Sequence, residues 1–398
     1  MEKVPSAEIE SRVALLQRQL TKHKVDLALI GQNTDLFYYT GTVVDGFLAV
    51  FAQDQPILLL RRPQQRLEAE GSVWPVHNFR NFKDLHDALE KAGLSPTAMV
   101  GLELDVLPTG LYLKLVEQVL PQNQIKDAST LIRRQRMVKS AYEIEQLRKA
   151  AAILDQALQL ATASVKPGMT EMELGAAVEY QLRRLGHQGL ARIRRWNLEL
   201  FYGHVLSGIS GLEAAYPDTP SGGAGFSPAF PQGAGWKRLA VGEPISIDFL
   251  SCVNGYIIDQ TRMYALGSLP DAAWEAFAVV EDLYRIFETE ARPGVMPGDL
   301  YRRLWEEVRA RGYQDYFMGV GQDRVRFIGH GVGLEADEFP LLSANFPYAF
   351  EADMVVAYEP KFFLPKIGMI GQEDTGRITP AGVEWLTISP PGITVTPI

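Results

Sequence analysis

The sequence predicts two domains: an α/β domain over residues 1–132, followed by an α+β domain over residues 133–398 that is built from two similar halves. In the first stretch, short apolar runs alternate with helical patterns, as is typical of an α/β domain. In the second, a basic-Pro-Gly triplet occurs twice, at 166–168 and 292–294, and a two-strand segment follows each copy. These observations determine the predicted fold class.

In the first domain, the predicted elements follow from apolar periodicity and length. The pattern predicts helices over 8–23 and 83–92. Buried strands are predicted at the apolar runs 26–30, 47–51, 56–60 and 98–102. No glycine loop of the phosphate-binding type occurs among them, so a nucleotide site is not expected here.

The second domain begins with a helix whose start is marked by Ser140 and Glu143, a capping box. A second capping box at Thr170 opens a helix that should close at Gly186. The two triplets lie 126 residues apart (293 minus 167), and so do Gly186 and Gly312 (312 minus 186). A long helix is also predicted over 271–291, before the second triplet. The equal spacings and this helix together predict an internal duplication around a pseudo-twofold axis. Chance similarity of two helix–loop–helix units is the alternative.

Between the halves lies segment 207–236, which is rich in Gly, Pro and Ser. Its composition predicts a long loop without regular structure. Such loops are often functional, and this one leads into the first two-strand segment, although a plain surface insertion is the alternative.

The first two-strand segment, 244–266, is predicted as a hairpin around Asn254 and Gly255, the residue pair that favours a type I′ turn. In this register, the residue numbers of each cross-strand pair add up to 509. Asp248 is therefore opposite Thr261, and Asp259 is opposite Leu250. The two acids share one face as diagonal neighbours, about 7–8 Å apart. Two carboxylates in a buried hairpin need a shared proton or a bound cation.

The second two-strand segment, 353–379, carries Glu359 and Glu373. A three-residue loop at 365–367 would place these acids opposite each other. A two-residue turn would put them on opposite faces instead.

Between the hairpins, His330 stands between two glycines, where backbones can approach closely. A lone histidine is more often structural, but four acids in strands favour a metal ligand here. The donors are mostly hard oxygens, which suits Mn²⁺ or a similar divalent ion. Because four carboxylates exceed the charge of one divalent ion, two ions are predicted, as in two-metal hydrolases.

The composition limits the other classes of function. The formal net charge of −9 argues against nucleic-acid or anionic-membrane surfaces. A single cysteine, Cys252, fits a reducing compartment. The N-terminus shows no apolar signal region, and no apolar run is long enough for a membrane span. We therefore expect a cytoplasmic protein.

Four motifs occur in one order along the chain: Asp248 and, after ten further residues, 259–262 (Asp-Gln-Thr-Arg); 329–333 (Gly-His-Gly-Val-Gly); 358–360 (Tyr-Glu-Pro); and 373–375 (Glu-Asp-Thr). Together they resemble the pita-bread metallopeptidases, which include aminopeptidase P, prolidase, methionine aminopeptidase and the metal-free creatinase. Segment 136–145 and the N-terminal domain resemble the aminopeptidase P and prolidase branch, whose first domain is creatinase-like.

The resemblance implies an Xaa-Pro aminopeptidase or dipeptidase in which a metal-bound hydroxide attacks the scissile amide. It implies a dinuclear centre bridged by Asp259 and Glu373, with Glu359 as the proton shuttle. The implied ligands are Asp248, Asp259, His330, Glu359 and Glu373. Mn²⁺ is the expected ion, with Co²⁺, Fe²⁺ or Zn²⁺ as alternatives, and the expected assembly is a homodimer acting on short peptides.

The chain departs from the family at three histidine positions around the substrate, which hold Gln232, Arg326 and Asp337. His204, just before the Gly-rich loop, is a candidate to reach the pocket. These changes keep open a metal-dependent enzyme acting on a non-peptide amide or zwitterion. A binding protein without catalysis is the third hypothesis.

Overall fold

The computed structural model describes residues 2–62, 65–214 and 216–397. It divides into two compact units, Met1–Arg136 and Met137–Ile398. The sequence places the division slightly earlier, after residue 132. In the described ranges, no helix combines the length and hydropathy that crossing a membrane requires.

The first unit is built around one mixed sheet of strand order β4-β3-β2-β1-β5-β6. Its elements in chain order are α1 (Ser6–His23), β1 (Leu27–Ile30), α2 (Asn33–Thr40), β2 (Gly46–Phe51), β3 (Ile57–Leu60), α3 (Gln65–Glu70), β4 (Val76–Asn78), α4 (Phe82–Lys91), β5 (Met99–Leu102), α5 (Thr109–Lys114), β6 (Gln124–Asp127) and α6 (Ser129–Met137). A π-helical turn, Leu115–Val119, follows α5. Each helix and strand predicted for this unit is confirmed, with bounds that agree within two residues. The apolar runs were reliable signals because strands such as β1 and β3 are buried in the core.

The second unit contains two helix pairs, each followed by strands. Its elements are α7 (Ala141–Thr162), α8 (Glu171–Leu185), β7 (Gly203–Ser207), β8 (Pro244–Val253), β9 (Tyr256–Leu266), α9 (Asp271–Glu290), α10 (Pro297–Ala310), β10 (Phe327–Gly331), β11 (Glu338–Ser343), β12 (Val355–Tyr358), β13 (Lys361–Leu364), β14 (Gly368–Gly371), β15 (Asp374–Thr379), β16 (Gly382–Trp385) and β17 (Ile393–Thr396). The repeated order of elements that the sequence predicts is confirmed.

The helix ends of this unit follow their local signals. Ser140 and Thr170 both form complete capping boxes, and Gly186 ends α8 in the left-handed conformation, with φ of 114°. In the second half, α10 ends at Ala310, two residues before Gly312 (312 minus 310), because Arg311 already caps it. Local chemistry therefore sets the lengths of the helices that cover the sheets.

The strands of the second unit form three sheets. Their orders are β17-β9-β8-β7, β11-β10-β12-β15-β16 and the pair β13-β14. A backbone bridge between Thr261 and Glu373 joins the first of these sheets to the approach of β15. Behind β12, the rings of Phe287 and Tyr358 stack with centroids 4.1 Å apart. This packing fixes the end of β12, the strand that leads into Glu359.

The Gly-rich segment is partly more ordered than its composition predicts. It begins in β7 and continues in a 3₁₀ turn, Gly208–Leu212. The buried carboxylate of Glu171 on α8 explains this order, since it accepts hydrogen bonds from the backbone and hydroxyl of Ser207 and from the Ser210 hydroxyl. From 213 to 243, leaving out residue 215, the segment forms only turns, bends and single-residue bridges.

The glycines beside His330 allow close contact between neighbouring strands, as the sequence predicts. A methyl carbon at Gly331 would lie 2.1 Å from the carbonyl oxygen of Phe339, and one at Gly329 would lie 2.6 Å from that of Ala357.

We expect Gly331→Ala to lower the free energy of unfolding by about 1–3 kcal/mol, because the strands must move apart. Urea unfolding would measure it. Gly175→Ala in α8, where the methyl finds only ordinary contact, is the control and should not destabilise.

Candidate metal centre

The first hairpin has the predicted turn and register. Asn254 and Gly255 have φ angles of 50° and 90°, as a type I′ turn requires. In the ladder between β8 and β9, Asp248 is opposite Thr261 and Asp259 is opposite Leu250. Both carboxylates therefore lie on the same face of this hairpin.

The second hairpin has the register that the three-residue loop predicts. Leu364 pairs with Gly368, which leaves a loop of three residues, 365–367. The same register continues beyond β13 and β14, where Tyr358 pairs with Asp374. Glu359 and Glu373 lie between these pairs, at opposed positions of the two strands.

His330 on β10 meets the acids of both hairpins. Its Nε2 atom lies 3.8 Å from Asp259 Oδ2, 3.8 Å from Glu359 Oε1 and 3.9 Å from Glu373 Oε1. Two ligands on opposite sides of one ion lie about 4.2 Å apart, since each metal–ligand bond is about 2.1 Å long. Asp259, His330 and Glu373 offer ligand atoms that are mutually close enough for one ion.

A buried network connects the two hairpins behind these acids. Arg262 forms an ion pair with Asp374 and donates a 2.9 Å hydrogen bond to the backbone oxygen of Glu373. The Thr261 hydroxyl donates to Glu373 Oε2 at 2.9 Å, and the Thr375 hydroxyl donates to the backbone oxygen of Asp259 at 2.8 Å. The residues beside each ligand therefore hold the ligand of the other hairpin in place.

The acids face a cavity of about 110 Å³. Its polar lining includes His204, Gln232 and Asp337 besides the five predicted ligands. Its apolar lining is Ile193, Leu198, Leu200, Phe201, Pro217, Leu250, Phe327 and Ala336. Thr219 from the Gly-rich segment also lines the cavity, so this loop contributes to the site.

His204 reaches the cavity because β7 pairs with β8, which places His204 opposite Asp248. Its Nε2 atom lies 3.9 Å from Asp248 Oδ2, and burial holds the pKa of the imidazole below its usual value. Within the described part of the chain, neither His204 Nε2 nor Gln232 Oε1 has a hydrogen-bond partner. Both are buried polar groups that a polar ligand could satisfy.

Asp337 approaches the other side of His330. Its Oδ1 lies 3.6 Å from His330 Nδ1, which also lies 3.0 Å from the backbone oxygen of Gly331. Burial lowers the pKa of His330, but the carboxylates of Asp337, Glu359 and Glu373 outweigh it and raise the pKa above its usual value. The Gly331 carbonyl oxygen is therefore the hydrogen-bond partner that orients the imidazole, and Asp337 adds an electrostatic contact on the same side.

Arg326 differs from the expectation. Its side chain is exposed and is not among the residues that line this cavity. The ladder between β10 and β11 is irregular from Phe327 to His330, so the position that the family resemblance implies for this side chain does not reach the cavity. Phe327 lines the cavity instead.

The sequence prediction missed Lys361, at the start of β13. Its buried ammonium nitrogen lies 2.8 Å from Glu359 Oε2 and 3.0 Å from both Asp248 Oδ2 and Glu373 Oε2. It thus contacts three of the five predicted ligands. The available signal was spacing: Lys361 follows Glu359 by two positions in an extended segment, where side chains alternate between faces.

The electrostatics show how densely these charges are packed. Burial, followed by the nearby acids, raises the pKa of Asp259 well above its usual value, and burial raises that of Glu373 to about 7. Burial alone would lower the pKa of Lys361, but the carboxylates of Asp248, Glu359 and Glu373 outweigh this and raise it. Lys361 therefore carries a positive charge. This single charge does not neutralise all the carboxylates around it.

One side of this cluster can hold a divalent ion, and the other side holds the Lys361 ammonium. Asp259, His330 and Glu373 can hold an ion on the side of the glutamates that faces His330. On the side that faces away from His330, Asp248 Oδ2, Glu359 Oε2 and Glu373 Oε2 surround the Lys361 ammonium. The Lys361 ammonium thus lies among oxygens of three of the ligands expected for the dinuclear arrangement.

The chain has similar proteins along nearly its whole length. It is 26% identical to an Xaa-Pro dipeptidase of Pyrococcus furiosus over 95% of this chain and 98% of that protein. The crystal structure of a prolidase from Pyrococcus horikoshii is 26% identical, has a TM-score of 0.78, and covers 96% of this chain and 99% of that one. An Xaa-Pro dipeptidase from Bacillus anthracis, 22% identical, shares the fold with a TM-score of 0.81 over 98% of this chain and all of that one.

Two family models match the chain, one in each part. The creatinase/prolidase N-terminal domain matches residues 12–138, and metallopeptidase family M24 matches residues 145–380, more than half of the chain. The resemblance stated from the motifs is thereby confirmed, together with the creatinase-like first domain and the pita-bread second domain. The chain belongs to metallopeptidase family M24.

Proposed function

We propose that this protein is a metal-dependent dipeptidase that cleaves Xaa-Pro dipeptides. The observation that carries the proposal is one cavity in which a three-residue metal site meets two buried polar atoms, His204 Nε2 and Gln232 Oε1. Neither atom has a hydrogen-bond partner among the residues that the structure describes. Similarity over nearly the whole chain to proteins named Xaa-Pro dipeptidase supports it.

A divalent ion held by Asp259, His330 and Glu373 would supply Lewis acidity to a carbonyl oxygen and make water a better nucleophile. Glu359 borders the same space, with one carboxylate oxygen towards His330 and the other towards Lys361. This position suits it to accept a proton from water and to deliver it to the leaving nitrogen. Gln232 and His204 would bind the polar ends of the peptide.

The cavity suits a short substrate. Its volume of about 110 Å³ is well below the roughly 300–1,000 Å³ of pockets for drug-sized ligands. Apolar residues such as Phe201, Phe327 and Leu200 provide a surface for an apolar ring such as that of proline.

The test is hydrolysis of a panel of Xaa-Pro dipeptides and tripeptides, together with Xaa-Ala dipeptides, by protein to which Mn²⁺ or Co²⁺ has been added. We expect turnover of Xaa-Pro dipeptides. Absence of turnover across the panel, with bound metal verified by elemental analysis, would contradict the proposal.

A second candidate is a metal-dependent enzyme that acts on a small amide or zwitterion other than a peptide. Gln232 and Asp337 line the cavity at positions where the family resemblance implies histidines, and this favours a changed substrate. Hydrolysis of such amides in the absence of Xaa-Pro cleavage would distinguish it from the first candidate.

The proposal extends to the identity of the ion, the assembly and the location of the protein. Mn²⁺ is the expected ion because two of the three donors are carboxylates. A homodimer is expected from the family resemblance, and size-exclusion chromatography with light scattering would test it. A cytoplasmic location is expected because the only cysteine, Cys252, is buried and unpaired.

Gln232 provides a direct test of substrate binding. We expect Gln232→Leu to raise KM for Xaa-Pro dipeptides by roughly 2- to 13-fold with little change in kcat, because one hydrogen bond contributes about 0.5–1.5 kcal/mol. Steady-state kinetics would measure it. Gln159→Leu on the exposed face of α7 is the matched control, and an equal KM effect in both variants would refute the binding role.

A further inference from the structure

Two positively charged groups can share the carboxylates of this site, and they use different oxygens. Glu359 and Glu373 each present Oε1 towards His330 Nε2, at 3.8 and 3.9 Å. Each presents Oε2 towards Lys361 Nζ, at 2.8 and 3.0 Å. The two glutamates therefore lie between the metal site beside His330 and the Lys361 ammonium. Bridging carboxylates lie between two metals in the same way.

The lysine is built into this position. Its side chain is 1% exposed, and its backbone oxygen accepts a 2.9 Å hydrogen bond from Met318. Gly371 is paired with Lys361 across the hairpin, and a methyl carbon there would lie 2.6 Å from Lys361 Cγ. The glycine thus leaves room for the lysine stem, and the three carboxylates hold its end.

The charge balance permits one ion, and the space around Lys361 Nζ favours it. Four carboxylates give a formal charge of −4, which two divalent ions alone would neutralise. Lys361 neutralises one of these charges, so a single divalent ion leaves −1, whereas two ions would leave +1 beside a buried ammonium. An ion placed among the oxygens that contact Nζ would also occupy the same space as this nitrogen.

We propose that the centre binds one divalent ion, held by Asp259, His330 and Glu373, and that the Lys361 ammonium takes the place of a second ion. Asp248 then serves as a partner of the lysine rather than as a metal ligand. The inference rests on the proposed metal-dependent function for the ion itself, but it concerns the number of ions and not the substrate.

The test counts ions on the full-length chain. After removal of metal with a chelator, the protein is dialysed against Mn²⁺, and bound metal is measured by elemental analysis. We expect one Mn²⁺ per wild-type chain and two per Lys361→Gly chain. Lys361→Ala repeats the test for the case in which Lys361→Gly does not fold. Lys366→Gly, on the same hairpin at an exposed residue with φ of 66°, is the matched control and should bind one.

Electron paramagnetic resonance of the same samples provides a second measurement. The wild type should show the spectrum of an isolated Mn²⁺, and Lys361→Gly that of two coupled ions. Two ions or none in the wild type would overturn the inference, as would a folded Lys361→Gly or Lys361→Ala that still binds one. Peptide turnover is scored separately: one ion without turnover contradicts only the proposed function, and two ions with turnover contradict only this inference.

Discussion

Glu359→Gln is expected to lower kcat on Xaa-Pro dipeptides by a factor of about 10²–10⁴, the usual contribution of a positioned acid–base group. The amide keeps the size of the side chain but cannot take up or release a proton. Asp259, His330 and Glu373 remain, so the ion should stay bound. Steady-state kinetics and elemental analysis of the same preparation would separate loss of chemistry from loss of metal.

The control for this variant is Glu351→Gln, an exposed acid on the segment that leads into β12. It should keep wild-type kcat and KM. Full activity of Glu359→Gln would show that another group transfers the proton. Loss of metal together with activity would instead identify Glu359 as a ligand that the ion cannot do without.

Arg262→Met is expected to lower the free energy of unfolding by about 3–5 kcal/mol, the range for breaking one side of a buried ion pair. The variant would leave the buried Asp374 carboxylate without its charged partner and remove hydrogen bonds to the backbone oxygens of Thr261, Glu373 and Ser389. Methionine fills much of the arginine volume, so most of the loss reflects charge and hydrogen bonds rather than a cavity.

Arg377→Met on β15 is the control, because its partners Asp353 and Glu384 are partly exposed. Exposed ion pairs contribute about 0–1 kcal/mol. Urea unfolding of both variants would compare them. Equal effects would mean that the network behind the ligands is no more important than a surface pair.

The hairpins were predictable because short-range rules determine their register. Asn254 and Gly255 define a two-residue turn, so the pairing of Asp248 and Asp259 follows by counting. For Glu359 and Glu373, the sequence left two turn lengths open, and the structure has the three-residue loop. Where alternation continues without interruption, the face of each side chain can be read from the sequence.

Other parts of the site were not predictable in this way. Arg326 lies beyond an irregular ladder, so its side chain does not follow the alternation of His330. The Gly-rich segment positions Gln232 through contacts that depend on the folded loop, such as the hydrogen bond from Gly225 N–H to the carbonyl oxygen of the adjacent Gly233. Lys361 lies within reach of the same counting rule, because it follows Glu359 by two positions in an extended segment.

The position of Lys361 has a consequence for a cell in which metal is scarce. A metal ion leaves its site when its free concentration falls below its Kd, whereas a lysine side chain is attached to the chain and cannot diffuse away. One of the two cations of the proposed centre is therefore present as soon as the chain folds. Asp248, Glu359 and Glu373 are held together by Lys361 before any ion arrives. Under this proposal, the environment has to supply only one divalent ion.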